Sequence, residues 1–198
     1  MKKLILLSVI LIFTNCISER KIVINELCKE IETPLNGKKT DSIFVLDKSC
    51  SNYRNFIKSY LNAKDYSEKF NIDGDFYWDK KYRWYLDNEN INYFEKKIVN
   101  QNVIKLKKQY FKGSRITLVS SNNKNIITSN KNDEIAINDG KYIYCITTPV
   151  FNKRRDLAII SLKTIVPNNI QFQNNKTIIF KKENSQWFKI CEIKSTIE

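Results

Sequence analysis

The stretch KTIIFKKENSQWFKICEIKS, residues 176–195, gives the clearest indication of the fold of this chain. Two runs rich in β-branched and aromatic residues, 176–181 and 186–195, are separated only by the four polar residues KENS, 182–185. This pattern predicts a β-hairpin with a tight turn. Strands joined by so short a loop pair antiparallel, so the C-terminal end of the chain is expected to form an antiparallel sheet.

Further apolar runs extend this sheet toward the N-terminus. Turn-rich pieces such as FKG, SNNKN, NKRR and PNN separate them, which is typical of successive short strands. The predicted strands before the hairpin are 103–108, 115–121, 125–129, 141–151 and 156–166. The region of about 103–198 is therefore predicted to consist mainly of antiparallel strands.

The region of about 21–100 has the apolar spacing of helices instead. Apolar side chains recur three and four residues apart in three segments, and the predicted first helix ends before Pro34 and Gly37. The segments are Ile24, Leu27, Cys28 and Ile31; Tyr53, Phe56, Ile57, Tyr60 and Leu61, with Ser51 as N-cap; and Ile91, Phe94 and Ile98, with Asp87 before them. The run DSIFVLD, residues 41–47, is a candidate strand between the first two helices. The fold class predicted is α+β: N-terminal helices followed by an antiparallel sheet that needs cover on one face.

The first residues, MKKLILLSVILIFTNC, have the layout of a secretory signal. Two lysines precede a short apolar run, and Cys16 follows it. The run is far shorter than the roughly 20 residues that span a bilayer. The position of the cysteine resembles that in bacterial lipoprotein signals, which implies removal of residues 1–15 and lipidation of Cys16. A plain cleaved signal with a coincidental cysteine is the alternative. Residues 16–198 then form a single α+β domain.

The chain is basic, with a formal net charge of +13. One interpretation is a surface for polyanions such as nucleic acid, acidic lipid or acidic glycan. The other is composition, because the lysines are spread along a chain rich in Lys, Asn and Ile and are mixed with acids. The absence of a long basic run favours composition, and we expect no nucleic-acid partner.

Four cysteines remain if Cys16 carries lipid, and an even number in an exported chain suggests disulfides. We expect Cys28 and Cys50 to pair, joining the first two helices. Cys145 and Cys191 lie among core-like residues and are expected to stay thiols. The alternative is four buried thiols that act as small apolar side chains.

Several classes of enzyme are excluded by what the chain lacks. It has no histidine, which removes histidine-based catalytic triads and the usual histidine-containing zinc sites. It has no CxxC spacing, no GxGxxG and no P-loop motif. Glycosidases that use a pair of carboxylates remain compatible with it. We expect no catalytic activity, no cofactor and no metal site.

One aromatic and acidic segment, residues 71–87, carries the candidate site. Aromatic faces stack on sugar rings, and carboxylates bind hydroxyls or act on a glycosidic bond, so the segment could contact glycan or peptidoglycan. The segment could also bind calcium through its alternating oxygen-bearing side chains, although Gly74 is misplaced for an EF-hand. The third interpretation is that the aromatic residues pack in the core and the carboxylates are exposed, because most aromatic residues in proteins serve in cores. The candidate glycan contacts are Asp73, Asp75, Trp78, Asp79, Tyr82 and Trp84.

The C-terminal half resembles a pattern in small uncharacterised lipoproteins of the Bacteroidetes. In that pattern a strand ends in PVF or PIF, a basic turn and an ALI-type strand follow, and a hairpin of the form YKKENGKWK comes last. The matching residues are Pro149, Val150 and Phe151; Leu157, Ala158 and Ile159; and Phe180, Lys181, Lys182, Glu183, Asn184, Gln186, Trp187 and Lys189. The resemblance implies no activity and supplies no site residues.

Together these features predict a lipid-anchored protein of the bacterial cell envelope, most simply a non-catalytic binding or structural module. The alternative is a glycan or peptidoglycan binder or hydrolase that uses residues 73–87. The expected partners of the protein are the membrane, through the N-terminal lipid, and an envelope protein or glycan. We expect the protein to face the periplasm. Surface-exported lipoproteins of the Bacteroidetes resemble one another in an acidic run just after the cysteine, and Ile17–Lys21 lacks such a run.

Overall fold

The computed structural model describes residues 19–31, 43–50, 56–70, 77–78, 82, 84–111, 115–120, 143–165 and 174–196. The helices are α1 (19–31), α2 (Phe56–Phe70) and α3 (Asn88–Val99), and a 3₁₀ turn covers Lys108–Phe111. The strands are β1 (Ile43–Leu46), β2 (Tyr77–Trp78), β3 (Ile116–Val119), β4 (Ile143–Ile146), β5 (Val150–Phe151), β6 (Leu157–Ile165), β7 (Asn174–Glu183) and β8 (Gln186–Thr196). No helix within these described stretches is long and apolar enough to cross a membrane.

The described strands form one mixed sheet, and its order is β2-β8-β7-β6-β4-β1-β3, with β5 also paired to β6. The α+β class is therefore confirmed. The sheet is not wholly antiparallel as predicted, because β1 runs parallel to both β3 and β4. Parallel neighbours need long connections, and residues 47–115 and 47–142 supply them. Sequence patterns locate strands but do not order them, so this pairing was not predictable.

Helices cover both faces of the sheet, whereas cover on one face was expected. Ala158 and Ile160 of β6 pack in the same core cluster as Val23 and Leu27 of α1. Ile159, between them, packs on the opposite side in a second cluster, with α2 and α3 residues. Successive strand side chains point to opposite faces, so an uninterrupted apolar run such as LAII belongs to a strand buried on both.

The predicted β-hairpin is confirmed. Strands β7 and β8 pair from Asn174 opposite Thr196 to Glu183 opposite Gln186. The two turn residues, Asn184 and Ser185, have φ angles of 47° and 66°. Positive φ at both central residues is the geometry of a type I′ turn, whose twist matches the flanking strands. Asparagine tolerates this backbone region better than most residues do, which fits its place in the turn.

The predicted helices are present, and the third has the clearest start signal. Asp87 is its N-cap: the Asp87 Oδ1 atom accepts a 2.7 Å hydrogen bond from the backbone N–H of Asn90. This bond satisfies one of the amide groups left without a partner at a helix start. The proposed Ser51 cap of α2 lies outside the described residues, as does the predicted strand 125–129. The predicted strand 103–108 is wrong, since a single bridge from Lys105 to Lys48 and the start of the 3₁₀ turn replace it.

The sequence suggested a helical region followed by a separate strand region, but the two regions are interleaved in the structure. Strand β1 from the N-terminal region lies inside the sheet between β3 and β4, and β2 pairs with β8 at one end. The predicted strand in the run DSIFVLD is thus confirmed for Ile43–Leu46, and it is an interior strand of the sheet. Both regions contribute to the same hydrophobic clusters.

The predicted Cys28–Cys50 disulfide is wrong. Cys50 is bonded to Cys145 instead, and their Cα atoms lie 5.9 Å apart. The pairing arises because β1 and β4 are parallel neighbours, so the chain following β1 runs alongside β4 and bridges Thr147. Cys28 belongs to α1, which packs on the other side of the sheet. Cys28 and Cys191 are buried thiols.

Candidate functional site

The residues of the predicted glycan site are only partly described. Cys16, Asp73, Asp75 and Asp79 lie outside the described residues. Trp78 is described by its backbone alone, which lies in β2 opposite Cys191. A glycan contact by these residues stays a prediction.

Tyr82 and Trp84, the remaining two, pack against the core. Tyr82 is buried, and its hydroxyl donates a hydrogen bond to Glu183 Oε1 at the hairpin turn. The ring of half-buried Trp84 meets the ring of Tyr60 edge to face at 5.7 Å. The Tyr60 hydroxyl in turn accepts a 3.1 Å hydrogen bond from the Leu86 backbone N–H. These contacts give both aromatic residues the packing role that was the third interpretation of the segment.

Two buried groups that could carry proton or nucleophile chemistry are held in their neutral forms. Burial raises the pKa of Tyr60 above its ordinary value of 10.0, despite the hydrogen bond from Leu86. Burial, together with the negative charge of Glu192, raises the pKa of the Cys191 thiol well above 9.0. A reactive cysteine needs the thiolate form, so Cys191 is a structural thiol. Among the described residues, no group of three or more His, Cys, Asp or Glu side chains could hold a metal ion.

A polar cluster surrounds Glu19, the first described residue of α1. Glu19 Oε2 accepts a 2.7 Å hydrogen bond from Arg155 Nε, and Arg155 Nη2 lies 2.6 Å from the same oxygen as an ion pair. Glu19 Oε1 accepts a 2.8 Å hydrogen bond from Lys182 Nζ. A carboxylate held by an arginine on one oxygen and a lysine on the other forms charge-assisted bonds, which are stronger than neutral ones.

Aromatic rings support the two cations. The Arg155 guanidinium lies over the Phe151 ring, 4.7 Å from its centre, and Lys182 Nζ lies 5.9 Å from the Trp187 ring centre. The Phe151 and Trp187 rings meet edge to face at 5.7 Å. Cations over aromatic faces gain electrostatic attraction from the ring. We refer to Glu19, Phe151, Arg155, Lys182 and Trp187 as the Glu19 cluster.

The β5–β6 turn presents Arg155 to this cluster, and Asn152 holds that turn in shape. The buried Asn152 side chain donates to Asp156 Oδ1 at 2.7 Å and to Asn90 Oδ1 at 3.0 Å. Its Oδ1 atom accepts hydrogen bonds from the backbone N–H groups of Asp156 and Leu157. Arg155 itself has a φ of 58°, an uncommon value for a residue with a side chain. The four bonds of Asn152 stabilise the turn in which that backbone occurs.

The electrostatics of the Glu19 cluster favour the ionised carboxylate. Partial burial alone would raise the pKa of Glu19, but the hydrogen bonds and positive charges of Lys182 and Arg155 outweigh it and hold that pKa below 4.5. A second tie lies farther along α1, where Lys189 of β8 donates a hydrogen bond to Glu30. Helix α1 is therefore fastened to the sheet by ion pairs near both ends of its described length.

The outer side of the β5–β6 turn is basic. Lys153 and Arg154 are exposed, and neither forms an ion pair with any residue that the structure describes. Around them, two cations share Glu19, and Lys181 lies 3.8 Å from Asp156 Oδ2. The turn 152–156 and the adjoining end of β7, 181–183, contain more basic than acidic residues. The basic ones are Lys153, Arg154, Arg155, Lys181 and Lys182, and the acidic ones are Asp156 and Glu183, to which α1 adds Glu19.

No protein-family model, curated protein or solved structure matches this chain. The Glu19 cluster was missed from the sequence because its members come from three distant segments. Four of its five residues belong to the PVF, basic-turn and hairpin pattern described above, and the fifth, Glu19, follows the leader. That pattern was a signal for the turn and the hairpin, but nothing in it indicated Glu19 as their partner.

Proposed function

We propose that this protein is a lipoprotein of the bacterial cell envelope, attached to a membrane through Cys16 and facing the periplasm. There it acts as a non-catalytic binding or structural module. The observation that carries the proposal is the leader MKKLILLSVILIFTNC, with its lysines, its short apolar run and its cysteine. The resemblance of the C-terminal half to small lipoproteins of the Bacteroidetes supports the same assignment.

The position of Glu19 supports a module held close to its membrane. Glu19 follows Cys16 by three residues and is already bonded to the sheet through Arg155 and Lys182. Three residues span at most about 11 Å. A protein that reaches for distant targets would need a long flexible linker between lipid and domain. The short connection instead favours a role at or near the membrane surface.

The absence of catalysis is supported by chemistry within the described residues. The chain has no histidine to act as a general base near neutral pH. Tyr60 and Cys191 are buried with raised pKa values, so neither is an activated nucleophile or base. A pair of carboxylates, of which the segment 73–87 offers candidates, is a route to glycan hydrolysis that needs no histidine. Turnover of a cell-wall substrate that is lost in an Asp73→Asn or Asp75→Asn variant would contradict this part of the proposal.

The anchor is tested by cell fractionation of a Cys16→Ser variant. We expect the wild type in the membrane fraction and the variant either released to the soluble fraction or retained as an uncleaved precursor of larger mass. Cys28→Ser is the matched control, because it removes a cysteine outside the leader and should leave the protein in the membrane fraction. A Cys16→Ser protein that is processed normally and stays membrane-bound would overturn the proposal.

A further inference from the structure

We propose that the exposed basic turn at Lys153 and Arg154 rests on the anionic phospholipid headgroups of the membrane, an inference that depends on the proposed lipidation of Cys16. The contact would fix which side of the domain faces the lipid. Two of the basic residues would then have a binding function, in addition to reflecting the basic composition of the chain.

The basic turn lies close to the proposed point of lipid attachment. Glu19 is bonded directly to Arg155, the neighbour of Arg154 in the β5–β6 turn. The Cα atom of a lipidated Cys16 can lie no farther than about 11 Å from the Cα atom of Glu19, since Glu19 is only three positions farther along the chain. The point of lipid attachment therefore lies close to the Glu19 cluster.

The turn also carries uncompensated positive charge. Lys153 and Arg154 are exposed and form no ion pair among the described residues. The neighbouring carboxylates Glu19 and Asp156 are already engaged by Arg155, Lys182 and Lys181. Basic residues near an anionic membrane surface each strengthen the association by roughly fivefold. Two such residues favour the state with the turn on the surface by about thirtyfold.

The backbone of the basic turn is held in a fixed conformation. The turn is held by the buried side chain of Asn152, which forms hydrogen bonds to Asn90, Asp156 and Leu157. A side chain on a rigid turn loses less conformational entropy when it binds than one on a mobile loop. The geometry thus presents a fixed pair of cations next to the point where the chain leaves for the membrane.

The test is acetylation of lysines on the full-length lipoprotein reconstituted into vesicles. An uncharged amine-reactive ester is applied, and Lys153 is compared with Lys107, an exposed lysine beside the 3₁₀ turn near the β3 end of the sheet. Vesicles of phosphatidylcholine alone are compared with vesicles that also contain phosphatidylglycerol. We expect Lys153 to be modified at least about fivefold more slowly with phosphatidylglycerol, and Lys107 to be modified equally in both. High salt should remove the difference, because it screens exposed charges.

Two variants make the test specific. Arg154→Gln keeps Lys153 as the reporter and should reduce its protection by about fivefold. Lys108→Gln, the same charge change at the other site, should leave Lys153 protection unchanged. Equal modification of Lys153 in both vesicles, or protection unaffected by salt or by Arg154→Gln, would overturn the inference. Flotation of the vesicles reports the anchor independently. Protein that floats with an unprotected turn refutes only the contact, whereas protein that does not float refutes the anchor and the contact together.

Discussion

Cys50 and Cys145 are bonded across a sequence separation of 95, and their Cα atoms lie 5.9 Å apart. Cys50 lies just after β1 and Cys145 lies in β4, so the disulfide joins the chain that follows β1 to the parallel neighbour of β1. It ties the N-terminal region of the chain to the C-terminal strands.

The disulfide should stabilise the protein substantially. Closing a loop of nearly one hundred residues restricts the unfolded chain, and the chain-entropy model gives about 4 to 5 kcal/mol for that length. A Cys50→Ser/Cys145→Ser variant should therefore lose several kcal/mol of unfolding free energy in denaturant titrations. Cys191→Ser, which removes a buried thiol, is the comparison and should cost less.

Peptide mapping without reduction checks the pairing itself. We expect one peptide pair that contains Cys50 and Cys145, with Cys28 and Cys191 recovered as thiols. A Cys28–Cys50 pair would contradict the arrangement of β1 beside β4, since Cys28 lies on the opposite side of the sheet.

The Glu19 cluster should contribute measurably to stability. In Glu19→Gln, Arg155 and Lys182 lose their shared carboxylate, and we expect a cost of about 1–2 kcal/mol at neutral pH. Glu26→Gln on the same helix removes only an i,i+3 pair with Lys29 and should cost less than about 0.5 kcal/mol. Equal effects of the two substitutions in chemical denaturation would show that the cluster does not fasten α1.

The same cluster predicts a dependence on pH with a definite sign. Lys182 and Arg155 hold the pKa of Glu19 below 4.5, although partial burial opposes them. Its contribution to stability is therefore complete above that value and is lost as pH falls through the lowered pKa. The difference in unfolding free energy between wild type and Glu19→Gln should shrink in acid. A difference that stays constant, or grows, as the solution is acidified would contradict the ion pairing.

Asn152 should be among the most sensitive polar positions. It is buried, and its side chain makes four hydrogen bonds within the turn and to α3. Asn152→Ala leaves several of these groups without partners, and we expect a loss of about 2–3 kcal/mol. Asn100→Ala removes one exposed hydrogen bond to the Lys96 carbonyl and should cost under about 1 kcal/mol. Thermal or urea unfolding of both variants compares the two, and similar losses would refute the role of the turn.

Trp84 distinguishes the two interpretations of the aromatic segment. Its ring packs against Tyr60, so Trp84→Ala should lower the unfolding free energy by about 2–4 kcal/mol without affecting retention on peptidoglycan. Tyr66, which is 50% exposed, is the control, and Tyr66→Ala should have little effect on stability. Retention of the wild type on peptidoglycan, lost in Trp84→Ala while its stability is unchanged, would instead support the glycan-binding alternative.

Local features of the fold were predictable, because local physics determines them. The hairpin turn at Asn184 and the Asp87 helix cap follow from the preferences of a few adjacent residues. The place of β1 between β3 and β4, and hence the Cys50–Cys145 bond, depends on contacts between distant segments. Apolar periodicity carries no information about which strands become neighbours.

The candidate site shows the same division. The basic turn and the hairpin were recognised as a pattern, but Glu19 was read only as one acid in the segment after the leader. Its two cations lie 136 and 163 positions away, a distance over which charge pattern alone does not indicate pairing. The segment 71–87 was singled out instead, and its two described side chains, Tyr82 and Trp84, belong to the core.

Mass spectrometry of the N-terminal peptide, on protein purified from membranes, tests the proposed lipid anchor most directly. We expect a mature chain that begins at Cys16 and carries the added mass of a diacylglyceryl group and an acyl chain. An unmodified Cys16, or a mature N-terminus at any other residue, would contradict the proposed anchor.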